Sequence, residues 1–149
     1  MNRPNWQEYF MKIAFETASR SSCFSEGKGA VIVKNGRIIA TGYNGAPSGT
    51  KNCKYDIGIC RKREKGYGHG EGHNECKAVH AEANAILSAA KLGISTEDCV
   101  MYCTHKPCEN CMKMIIQSGI ILVCYSKEYE SEFSKELAKE AKIKLRKVD

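Results

Sequence analysis

The sequence predicts an α/β protein with a three-layer α/β/α arrangement, in which helices cover a mixed sheet of five strands. Three observations predict this class. An apolar helical stripe lies near the N-terminus, two strand-like runs flank Asn35-Gly36, and helical and strand patterns alternate from residue 79 onward. An antiparallel hairpin followed by such an alternation is typical of one mixed sheet with helices on its faces.

The first half of the chain supplies one helix and the hairpin. Two runs rich in β-branched residues, at 30–34 and 37–41, read as strands, and Asn35-Gly36 between them is a strong signal for a two-residue turn. The helix precedes them at residues 5–19, where apolar residues recur on one face at helical spacing. These residues are Trp6, Tyr9, Phe10, Ile13 and Ala14.

The second half alternates helices and strands. A helix at 79–91 ends near Gly93, as helices commonly end at glycine. The elements that follow are a strand at 99–104, a helix at 109–117 before Gly119, a strand at 120–126, a helix at 130–140 and a strand at 142–148. The predicted layers therefore place the starts of the helices at 79 and 109 close to one another.

Length and composition indicate one globular domain, which we expect to span residues 1–149. The stretch from Met1 to Phe10 lacks the apolar core of a signal peptide, and no run approaches a membrane span. We therefore expect a cytoplasmic protein without a membrane partner, whether cellular or viral and acting in a host. In that compartment, the nine cysteines favour metal binding over disulfides.

The net charge of +6 does not by itself identify a partner. Many of the basic residues lie near the C-terminus and are interleaved with acids, which is typical of a solvated face. A modestly basic enzyme also suits an anionic nucleotide. A polynucleotide partner would favour a basic groove with exposed aromatic residues, and the scattered cations do not predict one.

Two motifs carry the chemistry: His80-Ala81-Glu82 and Pro107-Cys108-Glu109-Asn110-Cys111. A hydrolytic zinc site needs three protein ligands and one position open to water, and His80, Cys108 and Cys111 supply three. Both thiols lie in the first turn of a predicted helix, whose dipole favours the thiolate form. Glu82 is then left free to move protons. A glutamate on a solvated helix face is the plain alternative, which the joint presence of both motifs disfavours.

These motifs and several others are similar to those of the deoxycytidylate (dCMP) deaminase family, in the cytidine deaminase superfamily. The resemblance runs from about residue 6 to 148 and implies a cytidine deaminase-like fold. It also implies hydrolysis of dCMP to dUMP and ammonia, which supplies the precursor of thymidylate. The matching residues are Trp6–Met11, Arg20-Ser21-Ser22-Cys23, Gly42–Pro47, His80–Ile86, Tyr125 and Tyr129.

The resemblance also implies substrate contacts. Asn44 is similar to the residue that holds the deoxyribose hydroxyl, and Tyr129 to the tyrosine that reaches the 5′-phosphate. Without the family, Asn44 reads equally as a turn residue and Tyr129 as a core aromatic. Thr104 and His105, just before the second motif, are candidates to touch the base.

Phosphate recognition departs from the family pattern. The family often carries an arginine shortly after the position of Cys23, whereas Phe24 and Ser25 stand there in this chain. Lys28 and Arg20 are the remaining basic candidates for the phosphate. This departure keeps open an enzyme that takes dCTP, with or without dCMP.

The insert at about 51–77 is rich in glycine, charge and potential metal ligands. Long irregular loops are usually functional or disordered, and clustered thiols and imidazoles suggest that a metal folds this one. Some members of the family resembled carry a second, structural zinc there. Its ligands would be Cys23 and Cys53 with two of Cys60, His73 and Cys76, while His69 is a further candidate. Reduced cysteines in a mobile loop are the alternative.

Three other cysteines carry no such signal. Cys99, Cys103 and Cys124 lie on predicted strands and read as small buried hydrophobic residues. Their spacing does not indicate a metal site.

Regulation and assembly are implied by the resemblance alone. Many dCMP deaminases are hexamers that dCTP activates and dTTP inhibits, with an effector site near the loop that corresponds to Gly42, Tyr43, Asn44 and Gly45. The expectation is therefore a homo-oligomer, with a hexamer favoured, and Mg²⁺ accompanying a nucleotide effector.

Other functional classes share part of the pattern. A tRNA adenosine deaminase or a single-stranded DNA cytosine deaminase would use the same His80, Glu82, Cys108 and Cys111. A non-catalytic zinc module would need no Glu82 and would fill the fourth coordination position with a protein ligand.

Overall fold

The computed structural model describes residues 2–149, which form one mixed five-stranded sheet in the order β2-β1-β3-β4-β5. The three strands β2, β1 and β3 pair antiparallel, whereas β3, β4 and β5 pair parallel. The strands are β1 (Gly29–Lys34), β2 (Arg37–Tyr43), β3 (Val100–His105), β4 (Leu122–Lys127) and β5 (Lys144–Lys147). The predicted mixed sheet is confirmed.

Helices cover both faces of this sheet. Along β1, Val31 and Val33 face a cluster with the first helix, while Ile32 between them faces the cluster built by the later helices. Side chains alternate across a strand, so one strand serves both layers. The predicted three-layer α/β/α class is confirmed. The helices are α1 (Trp6–Ala18), α2 (Arg61–Glu64), α3 (Ala81–Lys91), α4 (Glu109–Gln117) and α5 (Glu132–Glu140).

The N-terminal helix starts at a reciprocal cap. The Asn5 side chain accepts from the Glu8 backbone N–H, and the Glu8 carboxylate accepts from the Asn5 N–H, both at 2.9 Å. This capping box satisfies two amide groups that the helix itself leaves unpaired. Phe10 is buried on the inner face of α1, as predicted, but Trp6 stays 62% exposed and packs against the rings of Phe10 and Tyr9.

The hairpin turn between β1 and β2 follows the sequence prediction. Asn35 and Gly36 both have positive φ, 48° and 72°, as a type I′ turn requires. A bulge between Ile32 and Val33 shifts the register before the turn. The second strand continues to Tyr43, two residues beyond the predicted end, and so reaches the cleft described below.

The last helix and strand differ from the prediction at their junction. Ile143 N–H donates to the Ala138 carbonyl at 2.8 Å, so residues 141–143 close the end of α5 instead of starting a strand at 142. Lys142 adopts a φ of 59° to make this turn. Helices usually end this way at glycine, and a lysine gives no such signal.

The insert at 51–77 folds into three short pieces: a π-helical turn at Cys53–Ile57, helix α2 and a 3₁₀ turn at His73–Glu75. Across these three pieces, every residue keeps a part of its surface exposed. Glu75 joins two of the pieces by pairing with Arg61 and, at 2.8 Å, with Lys65. Over residues 2–149, none of the helices has the length and apolar character needed to cross a bilayer.

Candidate metal centre and active site

Two helix starts bring the three predicted zinc ligands together. His80 is the N-cap residue of α3, Cys108 is the N-cap residue of α4, and Cys111 lies in the first turn of α4. The Nδ1 atom of His80 lies 3.5 Å from the Cys108 Sγ and 3.4 Å from the Cys111 Sγ. Among residues 2–149, this is the one group of three or more His, Cys, Asp or Glu whose ligand atoms all lie within 4.8 Å of one another.

The spacing of these atoms fits a zinc ion. Tetrahedral zinc with typical bonds to nitrogen and sulfur holds those two atoms about 3.6 Å apart. The observed separations of 3.4 and 3.5 Å match that edge. One imidazole and two thiols also form a donor set that zinc prefers, and three protein ligands leave one coordination position for water.

The two thiols differ in protonation. Hydrogen bonds from Cys111 and His80 lower the pKa of Cys108 to about 4. The same contact with Cys108, together with burial, raises the pKa of Cys111. The hydrogen bond between the two thiols therefore favours ionisation of Cys108 while Cys111 keeps its proton. Metal binding replaces such protons, so zinc affinity should weaken at acidic pH.

Glu82 lies beside the ligand set, in the first turn of α3. It is only 6% exposed, and the Cys111 thiol donates to its Oε2 at 3.6 Å. Burial raises the pKa of the Glu82 carboxyl above its ordinary value. A carboxyl group with a raised pKa can both accept and release a proton near neutrality. Glu82 also lines the same cleft as His80 and Cys108.

The loop from Gly42 to Gly45 holds the start of α3 in place. A Cβ on Gly42 would lie 2.3 Å from the Ala81 carbonyl oxygen, so only glycine lets β2 pass this close to the helix. Gly45 and Val79 form an isolated β-bridge, and the Asn84 amide donates to the Tyr43 carbonyl at 2.7 Å. The loop that was predicted to lie near an effector site therefore holds the backbone on both sides of His80 in place.

Asn44 lies in this loop and lines the cleft, and its side-chain amide already makes two hydrogen bonds to the backbone. Its Oδ1 accepts from the Lys28 N–H at 2.8 Å, and its Nδ2 donates to the Glu26 carbonyl at 3.3 Å. One N–H and one lone pair of the amide remain, enough to donate to and accept from a sugar hydroxyl.

Thr104 departs from the expected role at the base. Its side chain has no exposed surface and does not line the cleft. Instead, Thr104 Oγ1 accepts from the Gly29 N–H at 3.1 Å and lies 2.9 Å from His105 Nδ1. The other ring nitrogen, Nε2, lies 3.1 Å from the Glu26 carboxylate. Thr104 therefore orients His105, which does line the cleft.

The cleft has about 690 Å³ of empty space, a volume that includes its open mouth. Lys28 and Tyr129 line it, as the substrate predictions require, whereas the exposed Arg20 does not. Lys62, from the insert, and Lys106, which pairs with Glu128 at 3.0 Å, line it too and were missed. Only their basic character signals these lysines in the sequence.

The candidates for a second metal lie in and beside the insert. Cys23, Cys53, Cys60 and Cys76 gather: burial raises the pKa of the Cys53 thiol, and its three neighbours raise it further. Within residues 2–149, no three of these sulfur atoms all lie within 4.8 Å of one another, as the ligand atoms of His80, Cys108 and Cys111 do. His73 lines the catalytic cleft together with Cys23 and Cys76, and its ring lies 5.6 Å from the His80 ring.

The predicted strand cysteines are buried. Cys99, Cys103 and Cys124 have no exposed surface, and burial raises the pKa of each thiol. They contribute to the core clusters on the two faces of the sheet.

The profile of one protein family, the cytidine and deoxycytidylate deaminase zinc-binding region, matches residues 4–127. A deoxycytidylate deaminase of Saccharomyces cerevisiae is 40% identical over 145 residues, which are 97% of this chain and 45% of that protein. The deoxycytidylate deaminase of Mycobacterium phage D29 is 43% identical over 136 residues, 86% of this chain and 99% of the relative. The chain thus spans less than half of the yeast relative and nearly all of the phage one.

A solved structure supports the same relationship. The dCMP deaminase of cyanophage S-TIM5, crystallised in complex with dCMP and dUMP, superposes with a TM-score of 0.81 at 33% sequence identity. The match covers 99% of this chain and 100% of the cyanophage chain.

Proposed function

This chain belongs to the cytidine and deoxycytidylate deaminase family, and we propose that it catalyses the zinc-dependent hydrolysis of dCMP to dUMP and ammonia. The observation that carries the proposal is the buried Glu82 beside the His80, Cys108 and Cys111 cluster, in one cleft. Relatives named deoxycytidylate deaminase support the substrate. The product dUMP is the precursor of thymidylate.

The ligand set would supply a nucleophile at neutral pH. Zinc held by three protein ligands lowers the pKa of a water molecule to about 7. Glu82 would carry two protons in turn: the first from the attacking water to the ring nitrogen of cytosine, and the second from the added hydroxyl to the amino group, which leaves as ammonia. Its burial keeps the carboxyl group able to exist in both protonation states during turnover.

The substrate would lie along the cleft. Asn44 presents its remaining amide N–H and lone pair to the deoxyribose hydroxyl, because the backbone of residues 26–28 occupies the other two. Lys28 and Tyr129 lie together at the cleft, where they would meet the 5′-phosphate. Thr104 would act through His105 and not by direct contact.

The names of the relatives favour dCMP over the alternatives. No specific feature of the cleft favours dCTP, a tRNA adenosine or a single-stranded DNA cytosine, among the residues that the structure describes. A purely structural zinc module is disfavoured because Glu82 has no role in one.

We also propose that the chain binds a second, structural zinc ion. The proposed ligands are Cys23 and Cys53 with two of Cys60, His73 and Cys76, because the four thiols influence one another and His73 lines the cleft beside Cys23 and Cys76. A bound ion would draw its four ligands together and order an insert that buries little of its own surface.

Regulation, assembly and location stay proposals. Activation by dCTP with Mg²⁺, inhibition by dTTP, and a hexamer rest on the resemblance to the family. The support of His80 by Gly42–Gly45 offers a physical route, because a nucleotide against this loop would contact the elements that position a zinc ligand. A cytoplasmic location, in a cell or in an infected host, is likewise an expectation.

The decisive experiment measures ammonia release from dCMP, dCTP, deoxycytidine and a tRNA anticodon stem. Glu82→Gln should lower kcat for dCMP by about 10²- to 10⁴-fold while the bound zinc is retained, because only the proton carrier is lost. Glu109→Gln is the matched control: its carboxylate accepts from Ser131 and lies outside the cleft, and this variant should keep most of its turnover. Turnover of the tRNA stem alone would contradict the proposal.

A further inference from the structure

The insert forms one wall of the catalytic cleft. Lys62, at helix α2, and His69, in the glycine-rich segment that follows, line the same cleft as Glu82. Neither residue belongs to the zinc ligands or to the proton carrier. Their position therefore calls for a role in contact with the substrate.

His69 and Lys28 contact Tyr129, and Lys62 lies close enough to His69 for its charge to lower the pKa of that imidazole. The Lys28 ammonium lies 5.6 Å from the centre of the Tyr129 ring, and the His69 ring meets it edge-on at 5.9 Å. Gly70 lets the Tyr129 hydroxyl approach, because a Cβ at that position would lie 3.3 Å from the hydroxyl oxygen. The insert thus contacts the tyrosine that the sequence analysis connects with the phosphate.

Two lysines of this group, Lys28 and Lys62, carry positive charge outside the ion pairs of the described chain, although the charge of Glu26 also acts on His69. Within residues 2–149, neither Lys28 nor Lys62 forms an ion pair, whereas Lys65 on the same insert pairs with Glu75. Burial, and after it the charges of Lys28 and Lys62, lower the pKa of His69. Like charges held together without a counter-charge are unfavourable, and a dianion that binds among them relieves that cost.

We propose that Lys62 and His69 complete, with Lys28 and Tyr129, the subsite for the 5′-phosphate, so that the insert makes this enzyme select a nucleoside monophosphate over the nucleoside. This inference rests on the proposed dCMP deaminase function. A phosphate accepts hydrogen bonds from ammonium, imidazole and hydroxyl donors, and hydrogen bonds to charged groups are the stronger ones. Lys62 and His69 are then specificity residues, distinct from the proton carrier.

The test compares kcat/KM for dCMP and for deoxycytidine in Lys62→Met and His69→Phe, which keep the approximate size of each side chain. The ratio of the two values should fall about tenfold or more in each variant, because a charged contact to the phosphate is lost. Lys54→Met is the control. It removes a lysine of the same insert that lies over Tyr55 and outside the cleft, and its ratio should equal that of the unmodified protein.

Two measurements keep the outcome decisive. Zinc content and the melting temperature show whether a variant has lost its fold, and calorimetric titration with dUMP and deoxyuridine reports phosphate recognition without turnover. A ratio unchanged in both variants overturns the inference while the dCMP deaminase function stands. An unmodified protein that releases ammonia from neither compound overturns the proposed function itself, and the inference with it.

Discussion

The catalytic cluster and the insert use the same residue types in opposite structural settings. His80, Cys108 and Cys111 stand at the starts of two helices whose inner faces are fully buried against the sheet, at residues such as Ala85 and Ile115. The cysteines of the insert stand on short pieces that bury none of their residues. A packed core therefore holds one donor set at metal-binding distances, whereas the other depends on ion pairs and on the proposed metal.

The largest expected effect is at the proposed structural zinc. Cys53→Ser should remove the zinc of the insert, because the site loses a ligand, and should leave the zinc of the catalytic cluster. The effect should be large because binding of a structural zinc can contribute about 10–16 kcal/mol to folding in a small domain. Zinc analysis by mass spectrometry and hydrogen exchange over residues 51–77 measure both effects. Cys99→Ala, at a buried thiol far from the insert in sequence, is the control and should keep its zinc. Equal zinc contents in the unmodified protein, Cys53→Ser and Cys99→Ala would show that Cys53 holds no structural zinc.

A pair of glycine substitutions sharpens the comparison. Gly42→Ala should destabilise the protein by about 1–3 kcal/mol and lower turnover, because its Cβ meets the backbone of Ala81 and Ala85 at 2.3 and 2.4 Å. Gly68→Ala, in the insert, meets only the Glu71 side chain at 3.5 Å and should change stability by less than about 0.5 kcal/mol. Denaturant unfolding measures both, and equal losses would mean that the insert is packed as tightly as the core.

The smallest effect concerns the ion pairs of the insert. Hydrogen bonds from Lys65 and then from Arg61 lower the pKa of Glu75, so the stabilisation is present above the ordinary carboxyl pKa and is lost as pH falls through the lowered value. Glu75→Gln should speed tryptic cleavage of the insert about twofold at neutral pH, since exposed pairs contribute little. Below the lowered pKa, the difference in hydrogen exchange of the insert between this variant and the unmodified protein should vanish.

The control for that measurement is Glu64→Gln, on the same short helix. Within residues 2–149, Glu64 takes part in none of the ion pairs, so its variant should be cleaved at the rate of the unmodified protein. Faster cleavage of Glu64→Gln would show that helix charge, and not the Glu75 pairs, protects the insert.

Local patterns in the sequence predicted much of this structure. The hairpin turn at Asn35-Gly36 followed from the φ > 0 preference of those two residues, and the two zinc motifs followed from ligand chemistry. Both are short-range properties, which neighbouring residues decide. The predicted start of the last strand at 142 was wrong because Lys142 takes a left-handed conformation without glycine, and the strand begins at Lys144. Nothing local marks such a residue, since the contacts of the folded helix impose it.

The sequence by itself determined the three-layer class and the helix starts that carry the zinc motifs, and it predicted Glu82 as the proton carrier. Only the tertiary structure decided that Thr104 orients His105, that His73 lies near His80 at the cleft, and that Lys62 reaches the cleft. The physical reason is distance along the chain. Periodicity and spacing report which residues share a helix or a turn, whereas the direction of a side chain from an irregular insert depends on packing against elements far away in the sequence.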